Sequence, residues 1–109
     1  MESNSIQVTA RCPIRTTLEM LGGKWKLLIL FQLSTGTLRF AELKRRIPDI
    51  SEKMLAQELH NLINSDLIDK QDYHEVPPRV EYALTSKGKL VLPLIEEMRN
   101  FALNYERFG

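Results

Sequence analysis

Two short helical segments joined by the four residues Ile47 to Ile50, an alternating apolar pattern soon after them, and a broad apolar stripe from Leu90 to Phe108 predict a mainly α (α+β) fold. The predicted architecture is a winged helix-turn-helix with a two-stranded wing and a terminal dimerisation helix. With 109 residues the chain has room for one domain. Its 43% hydrophobic and 27% charged residues fit a core-forming chain rather than a disordered one. The expected division is a polar tail over 1–10, the winged helix-turn-helix over 11–86 and a dimerisation helix over 87–109.

The first helix opens at Pro13, where a first turn accepts proline, and carries Ile14, Leu18 and Leu21 on one face. Gly22 and Gly23 are expected to end it by taking left-handed backbone. From Lys24 to Ser34 the residues are apolar on nearly every side, so this segment reads as the central core helix, ended by Gly36. Trp25 reads as packing at its start.

Phe40, Leu43 and Ile47 form the stripe of a short helix, and Pro48 and Asp49 form the turn after it. Ser51 is a good N-cap for the next helix, whose inner face is Leu55, Leu59, Leu62 and Ile63. Its outer face carries Lys53, Gln57, Asn61 and Asn64, with His60 beside it. Beyond Leu67 the period becomes two: Val80, Tyr82 and Leu84 alternate with Arg79, Glu81 and Ala83. Leu67 to Tyr73 is expected to pair with that strand around Pro77 and Pro78, and the hairpin must pack on the helices to persist. One last helix, capped by Thr85 or Ser86, should run to about Phe108 with a kink at Pro93. Its stripe is too wide for one small domain to cover, and the same helix of a second chain would cover it, with Leu94, Met98, Phe101 and Tyr105 in the seam.

Several function classes find no support. The longest apolar run, Leu27 to Phe31, is far short of a membrane span, and Met1 to Ala10 lacks a signal pattern, so a cytoplasmic protein is expected. One cysteine and two separated histidines, His60 and His74, supply neither a disulfide nor a metal cluster. No phosphate loop or nucleophile elbow occurs, so neither enzymatic activity nor a cofactor is expected.

Net charge is only +1, but its distribution is uneven. Residues 11–53 carry nine bases against four acids, whereas residues 54–109 carry six against nine. A basic part in a nearly neutral chain fits a local face for a polyanion.

The residues now assembled resemble the HxlR-type winged-helix transcription regulators, relatives of the MarR group. The resemblance is carried by Cys12-Pro13, Gly22-Gly23-Lys24-Trp25, Arg39-Phe40 with Leu43, Ile47-Pro48, Ile50-Ser51 and Lys53. It continues through Pro77-Pro78-Arg79-Val80-Glu81-Tyr82 and Leu84-Thr85 with Gly88. Family members often carry glycine where this chain has Asp66, a residue that tolerates left-handed backbone. The resemblance implies a dimeric, cytoplasmic regulator that binds duplex DNA.

On that reading Ser51, Lys53, Gln57 and Asn61 face the major groove, with Gln57 able to pair with adenine. Lys24, Arg39, Lys44 and Arg45 would reach flanking phosphates, and Arg79 would project from the wing unless it pairs with Glu75 or Glu81. Each is otherwise an ordinary solvated side chain. Cys12, at a helix start between Arg11 and Arg15, has two readings: a thiolate that senses an oxidant or electrophile, or a small buried packing residue. A regulator controlled by a non-covalent small ligand and a winged-helix protein-interaction module are the alternatives.

Overall fold

A computed structural model describes residues 12–108; the polar tail 1–10, Arg11 and Gly109 lie outside the described residues. Helix α1 (Pro13–Leu21) begins with proline at its first position, where the missing N–H is not needed. Its exit differs from the expectation. Gly22 is extended, at φ −66° and ψ 167°, and only Gly23 is left-handed, at φ +97°. Gly22 is required by space instead, because a Cβ there would strike the Leu18 carbonyl oxygen.

Helix α2 (Lys26–Leu33) buries Ile29, Leu30 and Leu33, as an all-apolar segment must, although Leu28 stays exposed. Strand β1 (Leu38–Arg39) leads directly into α3 (Phe40–Arg46). The turn that follows buries Ile47 and Ile50, which anchor it, and Ser51 caps α4 (Glu52–Asn64) by accepting from the Met54 N–H at 3.0 Å. Leu55, Leu59 and Leu62 of α4 are buried against the core formed with Leu30, Leu43 and Ile68. Each fully buried side chain of this kind contributes roughly 1.5–3 kcal/mol.

Asp66 adopts φ +62°, the left-handed turn expected of it, and delivers the chain to β2 (Ile68–Asp72). Strand β3 (Val80–Leu84) pairs antiparallel with β2 in the register Ile68↔Leu84 to Asp72↔Val80. The expected two-stranded wing forms from β2 and β3, and a short third strand extends it to a sheet of order β1-β3-β2, because Leu38 and Arg39 pair with Tyr82 and Glu81. That added strand ties the wing to the helices.

The single terminal helix is also corrected. A one-turn helix α5 (Ser86–Lys89) ends at Leu90, and α6 (Leu92–Phe108) starts afresh. Pro93 lies in the first turn of α6, where its missing donor is harmless, so it marks a helix start rather than a kink. Val91 and Ile95 are buried in the core, so the start of α6 packs with the elements before it. Gly88 sits directly on the Leu67 carbonyl, leaving no room for a side chain.

Candidate nucleic-acid interface

Helix α4 is held from behind by its leucines, and this leaves Lys53, Gln57 and His60 on the exposed side with Asn61 half-buried beside them. Ser51 uses its oxygen as the cap while its hydroxyl proton stays available to an anion. Along the face, Gln57 Nε2 donates to Asn61 Oδ1 at 3.3 Å, and Asn64 Nδ2 lies 3.2 Å from His60 Nε2.

Beneath that face lies a pair the sequence did not single out. Lys26 Nζ, at the start of α2, is 3.0 Å from Glu58 Oε1, with the two side chains only 18% and 9% exposed. The same Oε1 accepts from Asn61 Nδ2 at 3.3 Å. Helical spacing placed Glu58 between the apolar and polar faces of α4, but nothing local to either residue announced Lys26 as its partner.

The flanking cations fall into two groups. Lys24, Arg39, Arg45 and Lys53 are exposed, Lys24 lying 4.7 Å over the Trp25 ring. The backbone N–H of Arg39 donates to Glu42 Oε1 at 3.0 Å, which closes the start of α3 and leaves the guanidinium outside. Lys44, by contrast, is turned onto the helix-turn-helix itself, its Nζ donating to the Pro48 carbonyl at 3.0 Å. Arg46, which was not singled out, donates to Thr35 Oγ1 at 2.8 Å and so fastens α3 to the end of α2.

On the wing, Arg79 lies 3.7 Å over the Tyr73 ring and its Nε is 3.3 Å from Glu75 Oε1. Of the two partners open to it, Glu75 takes the ion pair, while Glu81 accepts from the Tyr73 hydroxyl at 2.9 Å. That hydrogen bond, to a carboxylate, pushes the Tyr73 hydroxyl above its ordinary pKa.

The exposed apolar face of α6 extends onto α1. Leu94, Met98, Phe101 and Tyr105 are all exposed, Phe101 stacking on Tyr105 with centroids 6.1 Å apart. Ile14 and Leu18 of α1 join them, and a groove of about 490 Å³ runs between α1 and α6, floored by Leu21 and Leu27. Cys12 is the N-cap of α1 and is 6% exposed, with no side-chain hydrogen bond to the helix. Arg15 is 3.9 Å from Glu19, so its charge is shared along the helix rather than directed at the thiol alone. Among the described residues no helix is long and apolar enough to cross a membrane, and no three potential metal ligands gather.

A helix-turn-helix backed by a small antiparallel sheet and followed by a projecting helix is the winged-helix architecture of transcription regulators. The chain belongs to the HxlR-like helix-turn-helix family, whose model matches residues 20–108. It is 46% identical over 94 residues to an uncharacterized HTH-type transcriptional regulator of Methanothermobacter thermautotrophicus, covering 86% of this chain and 72% of that one. A crystal structure described as a MarR-family regulator from Porphyromonas gingivalis W83 superposes with a TM-score of 0.87 at 48% identity, covering 91% and 97% of the two chains. The redox regulator HypR in its oxidized form superposes at 0.80 with 35% identity, covering 85% and 96%. The chain is a transcription regulator of helix-turn-helix type.

Proposed function

We propose that this regulator acts in the cytoplasm as a homodimer that reads specific duplex DNA, rather than as an enzyme. One observation carries the reading: α4 exposes Lys53 and Gln57 on a face kept rigid by Leu55, Leu59 and Leu62 behind it. In a winged helix this element enters the major groove. Gln57 and Asn61 contact base edges, Ser51 and Lys53 contact bases or adjoining phosphates, and Lys24, Arg39 and Arg45 contact phosphates alongside. Lys44 and Arg79 have roles within the protein, so reaching DNA would require them to share or leave the Pro48 carbonyl and Glu75. The seam of α1 and α6 takes the same seam of a second copy, placing two α4 helices in successive major grooves about 34 Å apart.

Oxidant or electrophile chemistry at Cys12 would set the dimer's geometry, since this residue begins α1 and α1 forms part of the seam. The likeness to HypR, described as a redox regulator, supports that arm. Its burial implies that reaction requires the start of α1 to open. A small apolar ligand in the α1–α6 groove is the second reading, favoured by the groove's Leu18, Leu27, Leu94 and Met98 lining.

Fluorescence anisotropy with duplex from upstream of the chain's own gene, against a shuffled duplex at several salt concentrations, tests the DNA reading. A preference of about a thousandfold, with affinity falling steeply with salt, supports it. Lys53→Ala should reduce the salt slope and Gln57→Ala the selectivity. Equal weak binding to every duplex in a genome-wide selection would point to a protein-interaction module instead. Repeating the titration after oxidation of the native protein and of Cys12→Ser isolates the thiol arm.

A further inference from the structure

The amides on the outer face of α4 are oriented by a charge beneath them. An ionised carboxylate only accepts hydrogen bonds. Glu58, nearly buried and 3.0 Å from the Lys26 ammonium, therefore obliges Asn61 to turn its NH₂ inward, where Asn61 Nδ2 lies 3.3 Å from Glu58 Oε1. Asn61 must then point its carbonyl Oδ1 along the helix towards Gln57. Gln57 in turn commits an N–H to that oxygen, at 3.3 Å. Each donor decides the next, so the Gln57 amide is held in one sense, its carbonyl Oε1 free for the groove and one N–H of Nε2 still unshared.

We infer that Glu58, clamped by Lys26, is a positioning residue for base readout. It fixes the sense of the Gln57 amide, so that the unshared Oε1 acceptor is presented at one set place and favours a base whose exocyclic amino group meets it there, adenine or cytosine, over guanine or thymine. The inference rests on α4 being the DNA-reading helix. Glu58 itself touches no base. Without its carboxylate, the Asn61 and Gln57 amides can both reverse, and the same backbone then presents donor or acceptor alike.

The test is selection from a randomised duplex library with the native protein, Gln57→Ala, the double variant Lys26→Met/Glu58→Met, Asn61→Ala and Glu58→Gln, with thermal unfolding of each. Gln57→Ala locates the base pair concerned. At that pair the native protein should favour an amino-bearing base by about tenfold. The double variant removes both charges together, so no charge is left buried alone. It should reduce the preference below about twofold there while leaving other positions intact. Asn61→Ala breaks the chain without touching the ion pair and should relax the preference at that same pair, besides any position that Asn61 itself contacts, which covers the case of a double variant that does not fold. Glu58→Gln should retain the preference, since its amide oxygen can replace Oε1. Full preference in Asn61→Ala and the double variant, or equal relaxation at every position, overturns the inference alone. A native protein that selects no sequence overturns the DNA reading and the inference with it.

Discussion

Lys26 Nζ lies 3.0 Å from Glu58 Oε1, joining the first residue of α2 to the middle of α4 through two charges largely removed from water. Breaking such a pair leaves one charge uncompensated, whereas replacing both by apolar side chains of similar volume avoids that cost. Lys26→Ala should destabilise the fold by about 2–3 kcal/mol, below the range for wholly buried pairs because the lysine keeps some solvent. The Lys26→Met/Glu58→Met double variant should lie within about 1 kcal/mol of the native protein. Urea unfolding of the single and double variants measures both. A Lys26→Ala midpoint equal to the native one would show the pair to be energetically silent.

The two positions Gly23 and Gly88 should respond to alanine for different reasons. At Gly88 a Cβ would meet the Leu67 carbonyl, which already accepts the Thr85 N–H at 3.1 Å. The backbone must move, and Gly88→Ala should cost roughly 2–3 kcal/mol. At Gly23 there is open space but φ is +97°, so Gly23→Ala should cost only about 1–2 kcal/mol. Equilibrium denaturation ranks them; the reverse order would mean that α5 can slide off Leu67.

Burial raises the pKa of Tyr82 above its ordinary 10.0 by disfavouring the phenolate. The sign follows directly: the folded state holds the proton more tightly, so this contribution is complete below about pH 10 and fades as pH rises through the higher folded value. Tyr82→Phe should lose less stability than the native chain on going above pH 10. Tyr73, whose hydroxyl donates to Glu81, should also ionise late in a spectrophotometric titration of the folded protein. Tyr73→Phe should remove one late-titrating group while leaving the midpoint of unfolding nearly unchanged.

Phe101 is 70% exposed and Met98 48%, so in a lone chain glutamate at either site would disturb little packing. Phe101→Glu and Met98→Glu should each change monomer stability by less than about 0.5 kcal/mol. In the proposed dimer the same charges would be buried, so sedimentation equilibrium should show dissociation to monomer. A native protein that sediments as a monomer at every concentration would remove the seam from the proposal.

Most of the scaffold was legible in residue order. The Leu55, Leu59, Leu62 stripe and the Ser51 cap define α4 from neighbours within two turns, and the structure follows them. Asp66 took the left-handed turn for an equally local reason. Where a feature depended on distant parts of the chain, reading failed. Two residues, Leu38 and Arg39, carry no alternation to count, and they become a strand only because Tyr82 and Glu81 lie opposite. Pro93 signalled an irregularity but not its kind. The burial of Val91 and Ile95 shows that the chain stops and restarts a helix there to keep both in the core.

The candidate interface divides in the same way. Lys53 and Gln57 are outward because the apolar period of their own helix turns them outward. Lys44 looked free in sequence, yet a carbonyl four residues on engages it, and Arg79, for which Glu75 or Glu81 stood open as partners, takes Glu75 and the Tyr73 ring. Cys12 likewise could have been open or closed, and its burial came from packing rather than from its place at a helix start.

By itself, then, the sequence determined the start of α1, the cap and length of α4, which faces are apolar and which residues α4 exposes, since propensity, capping and period act within a few positions. Tertiary structure alone decided the third strand, the split before α6, the apolar groove between α1 and α6, and the clamp of Lys26 on Glu58. Those depend on which surfaces exclude water together, and two residues 32 positions apart acquire a shared charge environment only when the fold brings them within contact.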